Sequence, residues 1–353
     1  MRTWWGDDSS SMSIHSYPPM LRPLNPRQDL LVIADLIELC FAETLDQSGR
    51  EYIRQLRQIA KEPSAYWIGR AGNHFYAPRR GFVWEEEGRI VGNLSIFPFQ
   101  TPHGVEYLIA NVAVHPDFRR RGIARLLTER ALDDIRERGG RQAWLNVRQD
   151  NLAAVSLYQQ LGFSERLRRT HWQYLSSSSP FHSEQFDKSS SFNSRFQIRR
   201  RTAAEWDRHK QWLLSTYPQE YHWHLDFHPD WFAPGFFAWL HNLLSENRYQ
   251  HYSIIRESRL IGIATLQSHL REGKALWMAC DPEWENEAVQ GFLSYFLTER
   301  ISPEKVTLDY PAQRATQALQ EAGFKPIQTL IWMQRPIEPP KQISIKIPSS
   351  KTF

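Results

Sequence analysis

The sequence predicts a mixed α/β (α+β) fold laid down twice along one chain. Three observations carry this. Over residues 20–175 the apolar spacing switches between period two and helical period in the order β-α-α-β-β-β-α-β-α-β, which suits a mixed sheet with helices on its faces. A Ser-rich, weakly apolar stretch, 176–195, then reads as a linker. From Gln197 onward a second series repeats the landmarks of the first.

The elements follow in order. Residues 1–16 are polar and Ser-rich and are expected to be disordered. Met20–Leu24 reads as a first strand, and Asp29 as the cap of a helix over Leu30–Phe41, with Leu30, Ile33, Ala34, Ile37 and Phe41 on one face. A second helix is expected over Arg50–Ala60. Phe82–Glu86 and Arg89–Phe97 form a hairpin around Glu87-Gly88, and Val105–Val114 is the next strand. A helix over Arg121–Arg138 buries Ile123, Leu126, Leu127, Ala131 and Ile135, and Gly139-Gly140 ends it. Ala143–Val147 is a central strand, Leu152–Leu161 a helix and Arg168–Leu175 a closing strand.

In the second series, Gln197–Arg201 resembles the first strand, and Tyr252–Arg256 with Leu260–Ser268 the hairpin. Ala275–Pro282 parallels Leu108–Pro116, Val306–Tyr310 parallels Trp144–Arg148, and the Gly323-Phe324 ending parallels Gly162-Phe163. The expected organisation is 17–175 as a first domain, 196–336 as a degenerate copy and 337–353 as a tail.

Composition narrows the classes. No run is apolar and long enough to span a membrane, and the N-terminal residues lack the apolar core of a secretion signal. Two cysteines, Cys40 and Cys280, make neither a disulfide framework nor a zinc cluster, so a reducing cytoplasm fits. A net charge of +4 is mild for 353 residues and suits an anionic ligand.

The most telling stretch runs from Asn111 to Arg125: an apolar strand, a stop at Pro116-Asp117, and a basic loop whose Gly122 and Ala124 leave bare backbone at a helix start. Such an N-terminus presents unpaired N–H groups and a partial positive charge, which favour phosphate. The loop Arg119-x-x-Gly122-x-Ala124 resembles the Arg/Gln-x-x-Gly-x-Gly/Ala pattern of the GCN5-related N-acetyltransferases (GNAT). Downstream, Leu145–Asn151 followed by Ala153–Phe163 resembles that family's later strand, its Asn-x-x-Ala helix and its Tyr…Gly-Phe ending. The resemblance implies two tandem GNAT-like domains, each a mostly antiparallel sheet flanked by helices. It implies that acetyl-CoA (coenzyme A) is held by the strand Val112, Ala113 and Val114, the loop Arg119, Arg120, Arg121, Gly122, Ile123, Ala124 and Arg125, and Asn151. It also implies transfer of acetyl to a primary amine, on a small molecule or a peptide, by direct attack in a ternary complex.

Amine acylation from a thioester needs the donor positioned, its carbonyl polarised, the amine deprotonated and the leaving thiolate protonated. The resemblance gives Tyr158 the last role, and a phenol with a pKa near 10 suits it. It gives one N–H of Val112–Val114 the polarising role. Asn151 caps its helix, touches the donor arm, or does both. The base stays open: some relatives carry Glu where this chain has Asn146, which takes no proton, and the remaining candidates are Glu106, His115, His103, a water chain or no dedicated base. The alternative to catalysis is a non-catalytic acyl-CoA sensor or interaction module.

In the second copy Glu283-Trp-Glu-Asn-Glu287 stands where the first has three arginines, so phosphate would be repelled. Aligning the Gly-Phe pairs puts Ala312 opposite Asn151 and Leu319 opposite Tyr158. The alternation His222-x-His224-x-Asp226-x-His228 offers ligand types on one strand face, but no second cluster accompanies it and aromatic packing accounts for it, so no metal is expected. The aromatics between Trp206 and Trp239 read as core or as an acceptor wall. Without interleaved Lys and Arg they do not read as a nucleic-acid platform. Residues 64–80, with Trp67, His74, Phe75, Tyr76, Arg79 and Arg80, are the expected acceptor loop. The sequence does not set the oligomeric state.

Overall fold

A computed structural model describes residues 17–45, 47–61, 78–101, 104–174, 196–218, 220, 229–235, 247–269, 273–297 and 305–338. The chain divides into two compact units. One is drawn from Met1–Pro98, Tyr107–Ala143 and Pro336–Phe353, the other from Phe99–Glu106 and Trp144–Arg335. The residues 1–16, 62–77, 102–103 (with His103), 175–195, 221–228 and 236–246, on which several sequence expectations fall, lie outside the described residues. Among the described residues no helix is long and apolar enough to cross a membrane.

In the first unit β1 (Leu21–Pro23), β2 (Arg80–Glu86), β3 (Arg89–Thr101) and β4 (Gly104–Val114) lie side by side in that order. The hairpin of β2 and β3 turns on Glu87 and Gly88, both at positive φ, as a tight hairpin requires. Helices α1 (Pro26–Phe41) and α2 (Gln47–Lys61) bury Leu30, Ile33, Ala34, Ile37, Ile53 and Leu56 together with Val83 of β2. Asp29 is not the cap of α1, contrary to expectation. Helix α1 begins four residues earlier, at Pro26, and Asn25 caps it by accepting from the Arg27 N–H at 3.1 Å. Proline at the first helical position loses nothing, because that N–H has no intrahelical partner. The buried Asp29 carboxylate instead accepts from the Asn25 N–H at 2.7 Å and binds Arg22 at 2.8 and 3.1 Å.

Helix α3 (Ile123–Glu137) buries Ile123, Leu127, Ala131, Leu132 and Ile135, and Leu126 of the expected face is only half-buried. Each fully buried aliphatic side chain of this size contributes roughly 1.5–3 kcal/mol. The close approach depends on Gly92 of β3, where a Cβ would stand 2.9 Å from Cγ2 of Ile123 and 3.0 Å from Cβ of Trp84. Gly139, at φ +73°, closes α3 as expected, with Gly139 and Gly140 N–H groups donating back to Arg136 and Ile135.

The second unit holds β5 (Gln142–Arg148, from Trp144), α4 (Leu152–Gln160), β6 (Ser164–Tyr174), β7 (Gln197–Arg200), α5 (Trp206–Thr216), β8 (Asn247–Arg256), β9 (Arg259–His269), β10 (Gly273–Cys280), α6 (Glu285–Tyr295), β11 (Val306–Pro311), α7 (Thr316–Glu321) and β12 (Lys325–Pro336). The strand order is β5-β12-β6-β11-β10-β9-β8-β7, mostly antiparallel, with β10 and β11 parallel.

The repeat is visible in local geometry. The β8–β9 hairpin turns on Glu257 and Ser258 at positive φ, and its bulge at Ile254/Ile255 matches the one at Trp84/Glu85. Gly262 repeats Gly92, since a Cβ there would stand 3.0–3.2 Å from Cys280, Ala288 and Phe292. Phe163 N–H donates to the Tyr158 carbonyl and Phe324 N–H to that of Leu319, both at 3.0 Å, which supports the alignment of Tyr158 with Leu319.

The final strands are exchanged between the copies. β12 of the second copy lies between β5 and β6 of the first, and β6 lies between β12 and β11. The register is fixed by Gln149 N–H donating to the Thr329 carbonyl at 2.9 Å and by Leu330 opposite Arg169. Arg169 is 3% exposed and locks this region: its guanidinium binds the Asp309 carboxylate and donates to the carbonyls of Thr216 at 2.7 Å and Asp309 at 2.9 Å.

Candidate functional site

The expected donor-binding segment lies wholly in the first unit. β4 reaches Asn111 in the left-handed region, φ +54°, which puts a bulge inside the strand. Beyond it Val112 and Val114 are half-buried and Ala113 is buried, and just past the strand His115 N–H donates to the Val91 carbonyl at 2.8 Å. His115 Nδ1 then caps the turn Pro116–Phe118 by accepting from Asp117 N–H at 3.3 Å.

The loop alternates in backbone sign. Arg120 has φ +66° and Gly122 φ +80°, the pattern that gathers successive N–H groups into an anion-binding concavity. Gly122 is the N-cap of α3, no side chain caps that helix, and a Cβ at Gly122 would meet nothing within 4 Å. The first-turn N–H groups of α3 therefore have no intrahelical acceptor and no capping side chain, and the site is open and positive. A diphosphate fits this donor set.

The arginines divide the work. Arg119 Nε donates to the Val114 carbonyl at 3.1 Å, and Arg121 donates to the Asp117 carbonyl at 3.2 Å and stacks over Phe118 at 4.7 Å, so both shape the loop. Arg125 reaches Glu129 at 3.9 Å across one helical turn. Arg120 is exposed. Cys40 of α1 donates its thiol hydrogen to the same Val114 carbonyl at 3.2 Å; burial raises its pKa, and the Arg119 guanidinium works against that rise.

The remaining candidates lie in the second unit. Asn151 is the N-cap of α4, its Oδ1 accepting from Ala154 N–H at 3.2 Å. That helix carries Tyr158, whose ring is buried and meets Phe163 edge-on at 6.0 Å. Burial raises the Tyr158 pKa well above its ordinary 10, so the phenol stays protonated through the neutral range. Asn146 on β5 is half-buried. Glu106 is only 9% exposed, and both its carboxylate oxygens are engaged, one by the Trp144 indole N–H and one by the Thr101 hydroxyl at 3.3 Å. Sequence reasoning also passed over Asn111; its signal was an Asn, tolerant of the left-handed region, inside an apolar strand.

The second copy has closed the matching place. Its loop, Asp281–Trp284, is short, and the start of α6 is acidic. Glu285 accepts from the Tyr310 hydroxyl at 2.5 Å and from Arg314 at 2.5 and 3.0 Å; Arg259 reaches Asp281 and Glu283, both at 3.2 Å, and Arg256 binds Glu287. Negative charge and internal ion pairs leave nothing for a phosphate there. The described aromatics Trp212, Tyr217 and Phe232 form a core with Ile263, Trp277 and Ala279, in agreement with the packing reading.

Comparison with known proteins agrees with this geometry. The model of the Acetyltransferase (GNAT) family matches residues 39–163. The chain is 46% identical over 68 residues to the [ribosomal protein bS18]-alanine N-acetyltransferase of Salmonella typhimurium, an alignment that spans about half (46%) of that relative and 19% of this chain. It is 32% identical over 118 residues to the protein of the same name from Escherichia coli, covering 80% of that relative and 31% of this chain. A solved structure of a GCN5-related N-acetyltransferase from Sphaerobacter thermophilus aligns with TM-score 0.53 at 14% identity, covering 92% of this chain and 98% of that one, a likeness of fold alone.

Proposed function

The chain belongs to the acetyltransferase (GNAT) family and is an acyltransferase of the N-acetyltransferase kind, and from that premise we propose where it holds its donor and which amine it serves. The family's donor is acetyl-CoA, which supplies an activated acetyl thioester. The domain over 17–175 does the chemistry, 176–195 links it to the cofactor-free copy over 196–336, and 337–353 is a tail. Backbone N–H groups at Arg120–Ala124 hold the diphosphate, with charge added by Arg120 and Arg125. The main chain of Val112, Ala113 and Val114 holds the donor arm, one of its N–H groups donates to the thioester oxygen, and Asn151 adds its free amide group. Tyr158 gives its phenolic proton to the leaving thiolate. The observation that carries the reading is the uncapped, left-handed entry to α3 at Gly122.

The acceptor follows from the missing base. Asn146 takes no proton and Glu106 is held by Trp144, so an acceptor that is already substantially neutral suits this site best. An α-amine, with a pKa of about 7.7–8.0, is roughly a third neutral at pH 7.5, whereas a lysine side chain near 10.4 is about a thousandth neutral. The name of the bS18-alanine relatives points the same way. We therefore assign the α-amino group of a peptide or amino acid as acceptor. Thiol release from acetyl-CoA against paired amines, one with a free α-amine and one with only a free ε-amine, tests this at pH 7.5. Turnover confined to the ε-amine overturns the acceptor assignment. Donor binding without release on any amine favours an acyl-CoA sensor, which the missing base would suit.

A further inference from the structure

The left-handed residue inside β4 is held by side chains from two other elements. Asn111 Nδ2 donates to the Tyr52 hydroxyl of α2 at 2.7 Å and to Ser95 Oγ of β3 at 3.3 Å. Asn93 Nδ2 of β3 donates to the Asn111 carbonyl at 2.9 Å. Asn93 and Ser95 are both fully buried, and the other Asn93 atom, Oδ1, is buried with no hydrogen-bond partner among the described residues. A buried unpaired amide oxygen is costly, and so is a left-handed residue inside a strand, even for asparagine. A strand that only had to fill a core would carry neither.

Both features have one result: the backbone is turned at Asn111, just before Val112–Val114, and His115 N–H bonds the Val91 carbonyl where the strand ends. That segment, Val112–Val114, is where the proposed function puts the polarising N–H. We infer that Tyr52 and Asn93 are positioning residues for acyl transfer: they act through Asn111 to fix the bulge that aims the Val112–Val114 N–H groups at the thioester oxygen. The inference rests on the acyl-transfer reading. Asn93 clamps the bulge carbonyl, which sets the peptide plane entering Val112. Tyr52 and Ser95 clamp the Asn111 amide, which sets the side chain and with it the left-handed backbone. None of the three touches the reacting atoms.

The test uses the full chain and three variants, Tyr52→Phe, Asn111→Gly and their combination. Glycine adopts positive φ freely, so Asn111→Gly removes the Tyr52 and Ser95 hold on the side chain without adding strain and keeps the Asn93 bond to the carbonyl. Each single variant should lower kcat by about tenfold or more while KM for acetyl-CoA stays within about twofold. The combination should be no slower than Asn111→Gly alone, because the effect of Tyr52 on kcat passes through Asn111. A purely structural role would lower the Tm and leave kcat intact. Tyr52→Phe with unchanged kcat, or a combined loss equal to the product of the single losses, overturns the inference. If Asn111→Gly does not fold, kcat and Tm of Tyr52→Phe, changed at a half-buried hydroxyl, decide it. A wild type that binds no acetyl-CoA by calorimetry sinks the acyl-transfer reading and this inference with it; a wild type that turns over beside an unimpaired Tyr52→Phe sinks the inference alone.

Discussion

Replacement of Gly122 separates backbone strain from charge at the loop. Gly122→Ala adds a methyl group into open space, so its cost is the left-handed conformation alone, about 1–2 kcal/mol. Strain of that size, borne entirely by the bound state, weakens coenzyme A by roughly 5- to 30-fold. Gly122→Glu carries the same strain and adds a carboxylate. At an effective dielectric near 20, one charge about 6 Å from a phosphate charge is repelled by about 3 kcal/mol, a further factor of about 100 for each phosphate charge it faces. Calorimetric titration with coenzyme A should therefore rank wild type above Ala and Ala far above Glu, with the Glu variant at least about a thousandfold weaker. Both variants should keep their fold, since neither side chain meets a neighbour within 4 Å of the Cβ. Coenzyme A binding by Gly122→Glu within threefold of wild type would refute the assignment of the loop.

Three more predictions follow from the packing. Tyr158→Phe should leave coenzyme A affinity and Tm unchanged and cut kcat; because burial lifts the phenol pKa, wild-type kcat should show no loss of this acid below pH 10, and an equal kcat in the variant would remove Tyr158 from the mechanism. Buried His209 and His251 are both held neutral, with burial and the nearby Arg201 lowering their pKa, His251 to about 3. Below the unfolded value near 6.5 the unfolded chain gains protons the fold refuses, so stability falls as pH drops, approaching about 1.4 kcal/mol per unit for each histidine and totalling about 3 kcal/mol between pH 6.5 and 5; urea midpoints that stay level over that range would contradict this. Arg169→Met strands the Asp309 carboxylate and the Thr216 carbonyl and should cost about 3–5 kcal/mol by urea titration.

Much of the fold was legible because its signals are local. The Glu87-Gly88 turn, the Gly139 stop and the Gly-Phe endings depend on backbone conformations that few residues accept, so the residue types announce them. The cap of α1 was misread because Asp29 and Asn25 are both good caps, and only Pro26 next to Asn25 decides between them. Glu106 was readable as a carboxylate on a strand, but its tie to Trp144 comes from a residue 38 positions away in the chain. The bulge at Asn111 showed as one polar residue out of pattern, and its holders, Tyr52, Ser95 and Asn93, were spread over two other elements. The strand exchange left no trace in the sequence, since β6 and β12 have the same alternation whichever neighbour they take.

That exchange sets a timetable for the nascent chain. The place beside β5 is filled by a strand synthesised half the chain later, so the first half emerges from the ribosome with an unpaired strand edge and must wait for residues beyond Lys325 to cover it. The second copy is thereby protected from deletion: shedding it would reopen a seam in the first. Selection can erode its loop at Asp281–Trp284 freely, but not the strand it lends.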